Sequence, residues 1–323
     1  MNNPFSKSTS IFLLLIVIFI FCISLKYIKF FVRLKWYIFN ILKNQNINSQ
    51  RIQKGKKHFS ENKIIIVGTI RNGEKILPKS MDFIYNQIVP HFKDYQIVVM
   101  ENDSEDDSRK YLLELAKKDN KLKVIGCGGI NLPQCKLNLA KTDMKKCPEC
   151  FTRINKMVNI RNIYLDEIKK PEYNDFNYVL MFDMDLYGNL SKKGLYDTGY
   201  NFLVDKNIDA VCAMTISPSL GYYDAYAHLD WYKKSYKHES IMKNFAKCGM
   251  DKVSSCFNGF TIYRRSSIID KQYCTYIDGK DNHSICEHKC FHEQMNNVYI
   301  NYNMLFKVPV NSLDNSLFSI LFF

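Results

Sequence analysis

Acidic side chains are absent from the first 60 positions of this 323-residue chain, which carry ten basic residues instead. The formal charge of the whole is +13, yet residues 61–323 hold 35 basic against 32 acidic residues. The excess therefore belongs to the N-terminal stretch, and the remainder offers no basic stripe. Helix-turn-helix, zinc-finger and RNA-recognition patterns are also missing, so no nucleic-acid partner is expected. No internal repeat or low-complexity tract is present, which sets aside solenoids and arrays. Wholesale disorder is excluded too, because 46% apolar and 14% aromatic residues can bury a core.

Gly, Pro and charge are missing from Ile11 to Leu25 (IFLLLIVIFIFCISL). At 1.5 Å per residue that run covers roughly 22 Å, short of the roughly 30 Å hydrocarbon core. Continuing through Tyr27, Ile28, Phe30, Phe31 and Val32 reaches the needed length, with Lys26 and Lys29 snorkelling to the interface. A cleaved signal peptide is the rival, but no small-x-small site follows the run. One uncleaved transmembrane helix is expected. Lys26, Lys29 and Arg33 share a helical face in a basic continuation against anionic headgroups. The expected organisation is a membrane anchor over 1–42, a polar, aperiodic stem over 43–62, and a globular domain over 63–323. Ten of the eleven cysteines lie beyond the anchor. With the sequons at Asn102, Asn189 and Asn282, they favour a lumenal domain of ER/Golgi type. The basic C-terminal flank of the anchor argues the opposite topology.

From Lys63 onward, strand and helix patterns alternate. Strands are expected at 63–70, 95–100, 121–126, 178–185 and 209–216, with helices at 74–87, 108–118 and 154–169. Repeated βα units with buried runs predict an α/β fold, a mainly parallel sheet with helices on both faces. Ligands of such sheets sit at the carboxyl ends of the strands. Those ends carry Arg71-Asn72, Glu101-Asn102-Asp103 and Asp183-Met184-Asp185.

VLMFDMD is the sharpest motif, since two carboxylates at i and i+2 beyond a buried strand suit a hard divalent cation. Such an ion holds a diphosphate and offsets charge on a departing phosphate. The plain alternative is a pair of acids capping a strand before a turn. In VVMENDSEDDS, Glu101 or Asp103 is placed to accept from a nucleotide base or ribose, though Asn, Asp and Ser also make turns and caps. Ser108 or Asp107 is expected to cap the helix that follows. Arg71 in GTIRNGE is placed to face a phosphate, and Arg161 on the helix before the aspartate strand to reach the diphosphate. SSCFNGFTIYRR reads as a small-residue turn entering a strand, with Asn258-Gly259 permitting close backbone approach.

CEHKCFHEQM clusters Glu287, His288 and His292. Imidazole could complete a metal shell and Glu287 could act on an acceptor hydroxyl. Zinc held by Cys286, His288, Cys290 and His292 is a second reading, and a disulfide beside exposed histidines a third. Cys127, Cys135, Cys147 and Cys150 likewise read as a zinc knuckle, a redox pair or structural disulfides.

The order of an R-N-x-E turn, E-N-D-S-x-D, an R-N helix, the D-x-D strand, C-F-x-G-F-x-I-Y and C-E-H-x-x-F resembles GT-A glycosyltransferases over about residues 63–306. Among these it is most similar to the capsule-associated α-1,3-mannosyltransferase family of fungi and related glycosyltransferases of large DNA viruses. The resemblance implies a UDP- or GDP-sugar donor, a glycan or glycoprotein acceptor, and Mn²⁺ or Mg²⁺. It implies that Asp183 and Asp185 hold metal and donor, with Asp185 catalytic, and that Arg71, Glu101 and Asp103 contact the nucleotide. Arg161 would contact the diphosphate. Glu287 and His288 would act on the acceptor side, His288 also as a metal ligand. The insertion at 127–152 has no counterpart. Asn189 lies four residues past Asp185, so its sequon is expected to be unoccupied. Two rivals remain: an inactive carbohydrate-binding or scaffold protein of the same fold, and a haloacid-dehalogenase-type phosphatase using Asp183.

Overall fold

The β-branched runs fold where their apolar faces find partners. The computed structural model describes residues 31–32, 34–35, 38, 47–126, 148–217, 221–230, 249–278 and 283–309. Strands β1 (Lys63–Ile70), β2 (Asp94–Glu101), β3 (Leu122–Ile125) and β4 (Tyr178–Phe182) form a parallel set, with β1 between β2 and β4. Alternate residues point to opposite faces, and both faces are covered. Ile65, Val67, Val98, Met100, Val179 and Met181 pack with Tyr164, Leu165 and Ile168 of helix α4 (Pro148–Ile168). Ile64, Ile66, Ile97, Val99, Leu180 and Phe182 pack on the other face with Leu77, Met81 and Ile84 of α2 (Leu77–Gln87). Each such buried side chain contributes about 1.5–3 kcal/mol, which is why the runs read as uninterrupted rather than alternating.

The second half of the sheet departs from the expected parallel pattern. Strand β9 (Phe260–Arg264) runs antiparallel between β4 and β6 (Ala210–Ile216). Strand β12 (Val298–Lys307) is parallel to β6 but antiparallel to β5 (Asn189–Leu190) and β8 (Met250–Ser255), and β7 (Leu229–Asp230) is antiparallel to β8. The order is β3-β2-β1-β4-β9-β6-β12-β8-β7, a mixed sheet. A fully buried strand is apolar whichever way it runs, so periodicity could not reveal direction. A separate hairpin joins β10 (Ile277–Asp278) to β11 (His283–Ser284). Further helices among the described residues are α3 (Ser108–Lys118), α5 (Lys192–Val204) and the short α6 (Glu287–His292).

Part of the stretch read as a linker is a helix. Asn48 caps α1 (Ser49–Ser60), accepting the backbone N–H of Gln50 at 2.9 Å and of Arg51 at 3.3 Å. Phe59 is fully buried against Phe92, Tyr178 and Gly199. A Cβ on Gly55 would lie 1.8 Å from the Tyr196 carbonyl oxygen, so only glycine lets α1 lie this close to α5. Arg51 pairs with buried Asp197 and donates to Asn201 Oδ1 at 2.7 Å. The anchor expected at 11–32 lies outside the described residues apart from Phe31 and Val32, and none of the described helices is long and apolar enough to cross a membrane. Cys127, Cys135 and Cys147, the side chain of Cys150, and Asn282 also lie outside them.

Candidate active site

Asp183 follows β4 directly, and its N–H donates to the Gly259 carbonyl at 3.0 Å, extending the pairing with β9 by one rung. Asn258 and Gly259 both take left-handed backbone angles, φ 58° and 69°. A Cβ at Gly259 would sit 2.5 Å from Leu186 Cδ1 and 3.2 Å from Asp183 Oδ2, so this turn needs glycine to reach the aspartate. Asn258 donates to the Ala213 carbonyl at 2.8 Å and accepts the Asp224 N–H at 3.1 Å, which brings a third aspartate to the same edge. Burial, then the Asp185 charge, raises the pKa of Asp183. Asp185 faces solvent on its outer side but is crowded by surrounding atoms, and its pKa is raised too. Burial pushes Asp224 up to about 6. Carboxylates crowded in this way resist ionisation until a cation joins them.

Arg161 bridges the predicted residues. Its buried guanidinium donates from Nε to Glu287 Oε1 at 3.1 Å and lies 3.7 Å from Asp183 Oδ1. Nη1 donates to the Tyr164 hydroxyl at 3.3 Å, and the plane sits over Phe257 and Tyr273 at 5.1 and 5.7 Å. Tyr164 in turn donates to the Tyr273 hydroxyl at 3.1 Å. Burial alone would lower the Arg161 pKa; Tyr164, Tyr273, Glu287 and Asp183 outweigh it, and the group stays charged.

Helix α6 presents two histidines in different states. His288 stacks on Phe257 with ring centroids 3.7 Å apart, and its Nε2 is 3.8 Å from Glu287 Oε1. Both its ring nitrogens are buried with no hydrogen-bond partner, and burial and Arg161 hold its pKa well below the usual imidazole range. His292 is fully engaged. Ser255 spends its hydroxyl proton on the Ala227 carbonyl (2.7 Å), so His292 Nδ1–H donates to Ser255 Oγ (3.0 Å). That leaves Nε2 to accept from Tyr263 at 2.8 Å.

The four-ligand zinc reading fails here, because Cys290 is bonded to Cys274 and His292 is committed. A second disulfide joins Cys212 of β6 to Cys256, and Cys286 is a buried free thiol. Among the described residues, no three of His, Cys, Asp and Glu converge closely enough to hold a metal ion by themselves. The donor chemistry still fits Mn²⁺ or Mg²⁺: two adjacent carboxylates on one edge, with an orphaned neutral imidazole next to Glu287 on α6.

The other predicted residues form a second cluster at the ends of β1 and β2. Arg109 on α3, absent from the sequence reading, donates to Glu101 Oε2 and Asp103 Oδ1, both at 2.6 Å. Glu101 Oε1 accepts the Ser104 N–H at 2.7 Å, so both of its oxygens are engaged. Arg71 Nη2 lies 3.6 Å from Glu105. Asn72 Oδ1 accepts the Glu105 N–H, and the Ser104 hydroxyl accepts the Asn72 N–H. The R-N-x-E and E-N-D-S-x-D motifs thus bind each other as paired loops. Neither Ser108 nor Asp107 caps α3 with its side chain. Asp106 does so, accepting the Ser108 N–H at 3.0 Å. Of the two residues the sequence reading missed, Asp224 had a signal, a lone acid among aromatics in YYDAYAH, and Arg109 had none beyond its place after an acidic run.

Similar solved structures include TarS 1–349 of S. aureus in complex with UDP-GlcNAc (16% identity, TM-score 0.42, covering 76% of this chain and 57% of that one). Another is the mannosyltransferase PcManGT of Pyrobaculum calidifontis in complex with GDP-Man and Mn²⁺ (10%, 0.44, 88% and 68%). A third is GalNAc-T7 with UDP, GalNAc and Mn²⁺ (11%, 0.47, 77% and 44%). The chain spans 60% of the TarS 1–349 structure and 37% of the longer TarS structure. No curated protein matches it. Residues 63–294 match the family described as Cryptococcal mannosyltransferase 1. That match runs from the first residue of β1 to two residues past α6, and so takes in both strand-end clusters: the chain belongs to the Cryptococcal mannosyltransferase 1 family of glycosyltransferases.

Proposed function

We propose that the chain transfers a hexose, with mannose as the leading case, from a UDP- or GDP-sugar to a glycan or glycoprotein acceptor. The observation that carries this is the Asp183–Arg161–Glu287 bridge at the carboxyl edge of the sheet, inside a mannosyltransferase family match. Asp183 and Asp185 would hold Mn²⁺ or Mg²⁺, with His288 as a further ligand. When bound, the ion supplies positive charge that stabilises the departing diphosphate. Arg161 sets the position of Glu287 and adds its own charge at the same edge. Glu287, fixed by that hydrogen bond, is placed to take the proton of the acceptor hydroxyl.

Placement is part of the same proposal: a single-pass anchor near the N-terminus and a domain in an oxidising lumen, supported by the two disulfides.

Full-length protein in detergent, incubated with Mn²⁺ and a panel of UDP- and GDP-sugars, should release nucleotide from at least one donor. Asp183→Asn and Asp185→Asn should each cut transfer by two orders of magnitude or more with an unchanged melting temperature. Full activity in both variants would remove the metal assignment, and silence across the whole panel would favour a scaffold.

A further inference from the structure

Asn102 is the polar residue that the paired loops leave over. Its neighbours are engaged: Glu101 by Ser104 and Arg109, Asp103 by Arg109. Asn102 is only 3% exposed, and its Oδ1 has no hydrogen-bond partner. Buried acceptors are almost always paired, so an orphan beside a site asks for a ligand donor.

Its place on the sheet says which part of a ligand that is. The Asn102 N–H donates to the Ile70 carbonyl at 2.9 Å, so the β1–β2 ladder continues one residue past β2. The pleat puts Asn102 on the face of Val98 and Met100, which is also the face of Val179 and Met181. Asp183 continues β4 in the same way through its bond to Gly259, and so lies on that face too. Only β1 separates β2 from β4, and the register sets Asp183 level with Met100, so Asn102 stands two strand spacings across and two residues further along, about 12 Å away. Base, ribose and two phosphates in series span such a gap, with the phosphates at Asp183 and the base at Asn102.

We propose that Asn102 reads the donor's nucleobase, its Oδ1 accepting a ring N–H: the imide N–H of uracil or the lactam N–H of guanine. This rests on the nucleotide-sugar reading above. It moves base recognition from the flanking carboxylates, which Arg109 holds as loop supports, to the carboxamide between them. Cytosine has no ring N–H on the corresponding edge and leaves the buried oxygen unmet. A site built to bond such a hydrogen rejects a ligand that lacks it.

The test is calorimetric binding of UDP, GDP and CDP to the full chain in Mn²⁺, independent of transfer. Wild type should bind UDP or GDP at least tenfold more tightly than CDP. Asn102→Ala should weaken the preferred nucleotide tenfold or more, to the CDP level, with CDP affinity unchanged. Asn102→Asp, which keeps an acceptor oxygen, should retain part of the preference. Constant CDP binding and melting temperature show that the variants are folded. Unaltered preference in Asn102→Ala overturns the assignment while leaving the transferase reading intact, as does a wild type that binds CDP equally well. Failure of wild type to bind any of the three overturns both.

Discussion

His288 and His292 lie one helical turn apart on α6, and their partners alone separate their roles. His292 meets a donor and an acceptor, so its neutral form is held and burial lowers its pKa to about 3. A folded pKa below the unfolded value means that the unfolded chain takes up a proton first as pH falls. The contribution of His292 is therefore intact above about pH 6.5 and drains away between there and pH 3. The slope is about 1.4 kcal/mol per pH unit, or about 2 kcal/mol lost by pH 5. His292→Gln removes this titration. Whatever its stability at pH 7, the variant should lose about 2 kcal/mol less than wild type between pH 7 and pH 5, read from denaturant midpoints. Equal losses would mean that His292 is not held neutral. At this scale the sequence showed residue types but not engagement. VLMFDMD and the Glu-His pair were legible because chemistry-bearing groups sat beyond an apolar run. Glu101 and Asp103 looked identical to ligand-reading acids, since nothing in a linear motif tells which acid an arginine will occupy.

Among the elements, the strands were the most legible and the stem the least. Lys63–Ile70 and Ser108–Lys118 begin and end where apolar spacing placed them. The stretch 43–62 read as a linker because α1 is mostly polar, with Gly55 and Phe59 its only fully buried residues. Its contacts are concentrated at two places: Phe59 and His58 at the cluster of Phe92 and Tyr178, and Arg51 on Asp197 and Asn201. Asp197 also accepts from Asn301 and Asn303 at 3.1 and 3.0 Å, so this buried carboxylate ties α1 to β12 through α5. A helix docked this way behaves as part of the core. Phe59→Ala should destabilise the protein by about 3–5 kcal/mol, whereas the exposed Lys54→Ala should stay within about 0.5 kcal/mol. Thermal unfolding of both variants decides it, because in a true linker the two substitutions would be equally silent.

Over the whole molecule, the site depends on joining a parallel half-sheet that carries Asp183 to a C-terminal segment that carries Glu287 and His288. Six residues make too short a helix to persist alone, so α6 is held by its surroundings. These are His292 against Ser255 and Tyr263, Arg161 on Glu287, and the Cys274–Cys290 disulfide. Closing loops of 16 and 44 residues, the two disulfides are worth about 3 and 4 kcal/mol in the chain-entropy account. That dependence also bears on the conflict in the N-terminal charge, since the nine lysines and arginines that follow the apolar run favour a cytosolic domain while the disulfides favour a lumen. Alkylation under denaturing, non-reducing conditions followed by mass analysis should find Cys212, Cys256, Cys274 and Cys290 protected. Treatment with reductant should expose them and lower the melting temperature. Cys274→Ser/Cys290→Ser should lose about 3 kcal/mol of stability, and nucleotide release should fall with it as α6 loosens. Four reactive thiols in the freshly isolated protein, with full activity and no response to reductant, would place the domain in the cytosol and leave the anchor's basic flank as the correct guide to topology.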